Sequence, residues 1–524
     1  MKQMLGAQKL LTQLAHQGVA EVLLCAGARN APLVKALSVC SGLQVLPFFD
    51  ERAAAFFALG RIRRTNCPVA VVTTSGTAAA ELLPATIEAW YSGLPLVLVT
   101  ADRPPNYRGT GAPQAIEQVG IFSTYVQNEF DFLGEEPGEI TLADHAPTHI
   151  NVSFDEPLID GELGMWTIVP RPGAESDFVQ DRVALSQDRV QEFLQNCQKP
   201  LIVVSELPTN KRELVIKKVL EWKRPVYLEA SSGLYGRSEL KPWRLNLGEG
   251  VFKSSSFMNE FDGVIRIGGI PTTRLWRDLE SKLGHWPVLS FSQRSFSGLA
   301  RIKVEPLPLA ALELIQGFSQ DQSKWLDCQQ AQRDRLKKLL ETDPHSEPAV
   351  FYELARMIPS GSHVFLGNSL PIREWDLVAG VSGSDHVPMA NRGANGIDGL
   401  IATFLGSATA DQENWLILGD LSALYDLNAP WALRFCQQHK IRIVVINNRG
   451  GQIFRRLFAD PLFENQHSLS FESFAEMWGL DYHLWRRVPE KLPELAKQVI
   501  IEIRPNDEAT QRFWQQYEQM WKDH

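Results

Sequence analysis

The stretch WLILGDLSALYDLN (415–428) and, a short way on, IRIVVINNRGGQIF (441–454) decide how this chain folds. Each opens as an apolar run of strand length and stops abruptly at oxygen-bearing side chains, Asp420 in the first and Asn447 and Asn448 in the second. Continuous apolar runs of this kind mark strands buried on both faces of a parallel sheet. In such sheets ligands lie beyond the carboxyl ends of the strands. An Asp or Asn in that place often only caps the next helix. Here Asn448 leads into Arg449-Gly450-Gly451, which suits close backbone approach rather than a helix start. The first stretch has a separate helix start at Asn428-Ala429-Pro430, so Asp420 is not needed as a cap. A carboxylate, an amide carbonyl and a backbone carbonyl are hard donors, suited to Mg²⁺ that shares its shell with phosphate oxygens. The glycines let the main chain reach that phosphate.

The same rhythm of short apolar strand, Gly/Ser/Asp turn and amphipathic helix runs through the chain. It appears in VAEVLLCAGARN (19–30) and in the stretch 68–104, where strand 69–74 passes through Ser75-Gly76 into a helix and back to strand 95–100. It returns at 199–208, 261–271 and 285–293, and again at 363–369, 415–420 and 441–448. Polar, charge-rich segments near 172–198 and 318–348 separate the groups. The pattern predicts an α/β protein of three consecutive doubly wound parallel-sheet domains, 1–175, 190–330 and 345–524. A chain of 524 residues is too long for one core.

Composition narrows the function classes. A net charge of −9 argues against a nucleic-acid binder, which draws affinity from a basic surface. Six scattered cysteines without a C-x-x-C pair point to reduced thiols. No run reaches the ~18 apolar residues of a membrane span, and the amino terminus lacks a signal-peptide core, so a cytoplasmic protein is expected. There is no G-x-x-x-x-G-K-[ST], and no G-x-G-x-x-G follows a strand, which weakens mononucleotide, NAD and FAD binding.

What remains resembles the diphosphate-binding signature of thiamine-diphosphate enzymes: Gly-Asp, then Asn-Asn and Gly after an interval like that of residues 421–446 here. That class also requires a glutamate near the amino terminus, which promotes the imino form of the aminopyrimidine. FFDERAAAFFALG (48–60) offers Glu51, after an apolar segment and at the start of a helix. Partial burial there would raise its pKa and suit proton sharing with a ring nitrogen. The chain lacks Gly-Asp-Gly, and no two of its eleven histidines are adjacent, unlike pyruvate-decarboxylase-type enzymes. The set DERAAAFFALG, TSGTA, TADRPP, GAPQAI, GNSLPIREWD, NRGANGIDG, GDLSALYDLN and NNRGGQIF closely resembles the 2-succinyl-5-enolpyruvyl-6-hydroxy-3-cyclohexene-1-carboxylate (SEPHCHC) synthases of menaquinone biosynthesis.

The resemblance implies that a thiamine ylide attacks 2-oxoglutarate, CO₂ leaves, and the succinyl carbanion adds to isochorismate. It implies thiamine diphosphate held by Glu51, Gly419, Asp420, Leu421, Ser422, Asn448, Gly450 and Gly451, with Mg²⁺ or Mn²⁺ on Asp420, Asn448 and Gly450. Glu51 and Gln114 carry the catalytic roles. Both substrates are dicarboxylates, which calls for arginine forks. Arg29, Arg103, Arg373 and Arg392 supply them, with Ser369 on the same helical face as Arg373 and with Ile453 and Phe454 as an apolar wall. The chain departs from the family pattern at Ala28, Pro113 and Leu275, which bears on the acceptor more than on the cofactor. In thiamine enzymes of this build the glutamate and the metal ligands come from different subunits, so a homodimer or homotetramer is expected. The rival readings are another thiamine-dependent 2-oxo acid decarboxylase or carboligase, and a non-catalytic diphosphate-binding α/β protein.

Overall fold

Each apolar run that ends in a candidate site residue forms a buried strand, because β-branched and leucine side chains cover both faces of a sheet flanked by helices. The computed structural model describes residues 1–171, 186–245, 248–318, 324–458 and 460–521, without the side chains of 324–329. The polar separators expected near 172–198 and 318–348, and the domain end at 175, lie partly or wholly outside the described residues.

Among the described residues three larger parallel sheets carry the chain, beside a two-stranded parallel one of Cys40–Ser41 and Trp166–Thr167. The first runs in the order Gln44–Phe48, Glu21–Cys25, Val69–Thr73, Leu96–Asp102, Thr148–Ser153, Asn128–Leu133. The second runs Arg244–Leu245, Val226–Leu228, Pro200–Val204, Gly263–Ile267, Val288–Phe291. The third runs His363–Leu366, Glu413–Gly419, Lys440–Ile446, Gln498–Ile503, Asp481–Trp485. This is the doubly wound α/β class. Its register sets Gly419 beside Ile446, so Asp420 and Asn447 leave neighbouring strands at the same level.

Compactness divides the chain into two units. The first comprises Met1–Ser176, Asn391–Ala408 and Ser422–Gln438; the second comprises Asp177–Ala390, Thr409–Leu421 and His439–His524. Two segments expected in the third domain thus belong with the amino-terminal sheet. The reason is local to that unit. Helix Glu51–Thr65 is apolar nearly all round from Ala53 to Leu59, and such a helix must be covered on every side. Helix Leu400–Ser407, whose residues are all buried, covers it. The two backbones touch: a Cβ on Gly60 would meet the Thr403 carbonyl oxygen at 2.1 Å, and one on Gly406 would meet that of Phe57 at 2.1 Å.

One expectation about the opening stretch is corrected. A helix begins at Asp420 itself, as Asp420–Tyr425, and Asp420 Oδ1 accepts the adjacent Leu421 N–H at 2.6 Å. A 3₁₀ helix does follow at Ala429–Phe435, but the Asn428 side chain does not cap it and instead donates to Asp50 Oδ2. The helix expected after Ser75-Gly76 comes in two pieces, Thr77–Ala80 and Leu83–Ser92. Pro84 at the start of the second piece lacks the N–H needed to continue the first. Cys25, Cys40, Cys67, Cys197 and Cys436 are free thiols, while the Cys328 side chain lies outside the described residues. No helix among the described residues is long and apolar enough to cross a membrane.

Candidate active site

In the second unit, the two neighbouring asparagines Asn447 and Asn448 have different partners. Asn447 is spent on structure: its amide donates to the Leu469 carbonyl at 2.9 Å and to Glu502 Oε1 at 2.8 Å. Asn448 Nδ2 donates to both oxygens of Glu347, at 3.0 and 2.9 Å. That pairing fixes the amide, and its Oδ1 is left buried without a hydrogen-bond partner. Asp420 is 2% exposed. Its Oδ2 accepts the Gly450 N–H at 2.9 Å and lies 3.2 Å from His467 Nε2. Burial raises the Asp420 pKa above the ordinary carboxylate value, against the hydrogen bonds from the Leu421 and Gly450 amides.

The backbone between these groups is shaped for close approach. Gly450 has φ +134°, and a Cβ there would meet the Glu464 carbonyl oxygen at 2.3 Å. The Gly450 carbonyl oxygen accepts from Gln452 N at 2.9 Å, which leaves one lone pair for another partner. Gly451 donates to the Glu464 carbonyl at 2.5 Å. In front of Gly419 a Cβ would meet nothing within 4 Å. Leu421 is half-buried, Ile453 is half-buried, and Phe454 is 39% exposed and stacked with Phe458. Ser369 stands before helix Leu370–Ser382 with φ +72°, so it is not on the helical face expected of it, and Arg373 Nη1 donates to its backbone carbonyl oxygen at 2.6 Å.

In the first unit, Glu51 is the first residue of its helix, after Asp50, whose Oδ1 caps the helix by accepting from Ala53 N at 2.9 Å. Glu51 is half-buried, and its carboxyl pKa is raised, chiefly by burial, with Asp50 and Glu81 adding. Arg29 is buried and donates to the Phe154 carbonyl at 3.0 Å, with Glu156 at 3.7 Å. Arg103 donates to the Pro113 carbonyl at 3.0 Å and lies over the Tyr107 ring. Gln114, exposed with φ +56°, lies against Gly76, where a Cβ would stand 3.2 Å from its Cα. Arg392 is buried in a loop that Glu88 holds by accepting from Gly393 N at 2.8 Å and Ala394 N at 2.7 Å. Ser422 is buried and belongs to this unit, as Leu421 does not. Of the three departures from the family pattern, Leu275 is core, Pro113 serves Arg103 through its carbonyl, and Ala28 accepts the Ala31 N–H through its carbonyl.

Residues 4–121 match the family described as thiamine pyrophosphate enzyme, N-terminal TPP binding domain. Over its whole length the chain is similar to proteins named 2-succinyl-5-enolpyruvyl-6-hydroxy-3-cyclohexene-1-carboxylate synthase. That of Bdellovibrio bacteriovorus is 46% identical over 533 residues, covering 99% of both chains. That of Akkermansia muciniphila is 36% identical and covers 97% of both. That of Geobacillus kaustophilus is 32% identical and covers 95% of this chain and 94% of its own. The chain belongs to the SEPHCHC synthase family. It is a thiamine-diphosphate enzyme.

As a SEPHCHC synthase family member, the chain must hold a diphosphate, and the residues present fit one. A buried amide oxygen without a partner is costly unless something else supplies one. Beside it stand a buried carboxylate and a glycine backbone with open space in front of Gly419. Among the described residues no three His, Cys, Asp or Glu side chains converge as metal ligands. A cation on the Asp420–Asn448 donors would complete its shell with phosphate oxygens.

Sequence reading missed Glu347, Glu374, His467, Gln118 and Asp426. Glu347 lies in SEPAV (346–350), where it reads as a first-turn acid favoured by the helix dipole. Burial raises its pKa, with the Asn448 bonds opposing and Asp420 adding. Glu374 is fully buried with its pKa well above the ordinary value, from burial and then Glu347. Gln118 accepts from Gly76 N at 2.8 Å and so ties the Thr74–Thr77 turn to the loop that bears Gln114. A single buried Gln or Asp, such as Gln118 just beyond GAPQAI or Asp426 within GDLSALYDLN, carries no periodic signal.

Proposed function

We propose that this chain decarboxylates 2-oxoglutarate and adds the succinyl unit to isochorismate, giving SEPHCHC and CO₂ for menaquinone biosynthesis. The observation that carries this reading is the likeness over 99% of both chains to a protein named for that synthesis. Bound thiamine diphosphate supplies the electron sink through which a 2-oxo acid loses CO₂ and passes its acyl group to an acceptor. The chain's own residues bind, orient and move protons. Asp420, Asn448 through Oδ1 and Gly450 through its carbonyl hold Mg²⁺ or Mn²⁺, while Gly419, Leu421, Ser422 and Gly451 line the diphosphate. Glu51, with its raised pKa, shares a proton with the aminopyrimidine ring.

Arg29, Arg103, Arg373 with Ser369, and Arg392 bind the carboxylates of the two substrates as forks. Gln114 hydrogen-bonds the reacting group, and Ile453 and Phe454 wall the site from water. The chain works in the cytoplasm as a homodimer or homotetramer, with Glu51 of one copy serving the metal site of another. We read the chain as three domains, close to 1–175, 190–330 and 345–524, a division supported by the three larger sheets, with Asn391–Ala408 and Ser422–Gln438 packed in the compact unit of the first.

The test is an assay of the purified protein with thiamine diphosphate, Mg²⁺ and 2-oxoglutarate, with and without isochorismate, following CO₂ and product mass. An isochorismate-dependent succinylated adduct is expected. CO₂ release that ignores isochorismate would keep the cofactor site and remove the acceptor.

A further inference from the structure

The opening stretch does not end at Asp420, and its tail has a task of its own. Tyr425, Asp426 and Asn428 lie in the first unit, together with the amino-terminal end of helix Glu51–Thr65. Each residue flanking Glu51 is tied to them. Asn428 Nδ2 donates to Asp50 Oδ2, while the other Asp50 oxygen caps the helix at Ala53 N. Arg52 Nη2 donates to the Tyr425 carbonyl at 3.0 Å and lies 3.3 Å from Asp426 Oδ1. Its guanidinium also lies over the Tyr425 ring, 5.1 Å from the centroid.

The anchor is itself fixed. Asp426 is 0% exposed and accepts from Gly399 N, Ile401 N and Ala402 N at 3.2, 2.9 and 3.1 Å. Those amides open the helix that crosses Glu51–Thr65 at Gly60 and Gly406. The helix bearing Glu51 is therefore held twice, at its first turn and at its middle, by one connected set of hydrogen bonds and backbone contacts.

We propose that Tyr425–Asn428 is a positioning element for Glu51, acting through Asp50 and Arg52. The proposal rests on the reading of Glu51 as the proton-sharing group. A carboxylate that exchanges a proton with a ring nitrogen needs its backbone fixed to a fraction of an ångström, since a displacement of about 1 Å costs roughly a hundredfold in rate. Pinning the residues before and after Glu51 supplies that restraint without placing another side chain on the carboxylate.

The test uses the full-length holoenzyme with thiamine diphosphate and Mg²⁺, and it reads hydrogen–deuterium exchange at the thiazolium C2 by acid quench and NMR. The variants are Asn428→Ala, which removes the donor to Asp50, and Tyr425→Ala, which removes the ring against the Arg52 guanidinium while its backbone carbonyl remains; Asn428 is only half-buried and Tyr425 is 55% exposed, so both should fold. The expected result is exchange slowed about tenfold or more in Asn428→Ala and by a smaller factor in Tyr425→Ala, with the thiamine diphosphate Kd and the melting midpoint close to those of the parent protein. Glu51→Gln is the reference and should slow exchange further. Parent-like exchange in both clamp variants, with Glu51→Gln slow, would overturn the proposal and leave the Glu51 reading standing. Parent-like exchange in Glu51→Gln would remove that reading and the proposal with it.

Discussion

A single amide shows how the site is specified at the scale of residues. Asn448 and Asp420 were legible as strand ends bearing oxygen, because the apolar runs before them fix where the strands stop. Strand-end position alone reads the same for Asn447 and Asn448, and it is the family resemblance that singles out Asn448. What distinguishes Asn448 in the structure is Glu347, 101 positions away in the chain, which takes up its N–H₂ group and leaves its Oδ1 without a hydrogen-bond partner. Removing Glu347 frees the Asn448 amide to turn its N–H₂ group inward, where it repels a cation. Glu347→Ala should therefore weaken Mg²⁺ affinity by about 10- to 100-fold, measured by titrating Mg²⁺ against thiamine diphosphate binding. Glu347→Gln keeps an acceptor for Asn448 Nδ2 and should lose much less. Equal affinities in the two variants would detach Glu347 from the metal site.

Among elements, helix Glu51–Thr65 carries the sharpest expectation. Gly60→Ala would raise helix propensity by up to ~1 kcal/mol, yet the added Cβ meets the Thr403 carbonyl at 2.1 Å, and backbone cannot yield as a side chain does. A net loss of about 1–3 kcal/mol is expected from overpacking, read from urea unfolding. A stabilised variant would mean that the two helices part easily. Elements that the sequence concealed share a physical cause. Strand Asn128–Leu133 alternates half-buried and exposed along its length, as suits the sheet edge, so it shows no apolar run. Strand Thr148–Ser153 is buried throughout, yet it is made largely of polar residues. Its His149 and Asn151 hydrogen-bond Thr100, Glu129, Asp102 and Asp131 across the sheet, which replaces the apolar signal with partners found only after folding.

For the whole molecule, the second unit has one apolar core running under both of its sheets, and one carboxylate joins their neighbourhoods. Asp376, on helix Leu370–Ser382, accepts from the Tyr227 hydroxyl at 2.5 Å and from Ala230 N at 2.7 Å. Burial and then Glu229 push its carboxyl up to about 7, against those two hydrogen bonds. The folded pKa thus lies above the unfolded value of 3.8, so the folded form keeps a proton that the unfolded form has released. This contribution to stability is complete below about pH 4 and is lost as pH rises through about 7. Asp376→Asn cannot titrate. Between pH 5 and pH 8 the parent should therefore lose at least ~1 kcal/mol more than the variant in urea unfolding of the cofactor-free protein. Parallel pH profiles would show Asp376 ionised throughout.

The interleaving of the two units also sets an order of events on the ribosome. Helix Glu51–Thr65 emerges early, but its cover, Leu400–Ser407, and the anchor at Asp426 are translated several hundred codons later. Throughout that interval the nascent chain presents Phe56, Phe57 and Leu59 without their final neighbours. The amino-terminal sheet can form early, but the helix packed on it stays uncovered until residues 400–426 have been made, and in the meantime the growing polypeptide is a natural client for ribosome-associated chaperones.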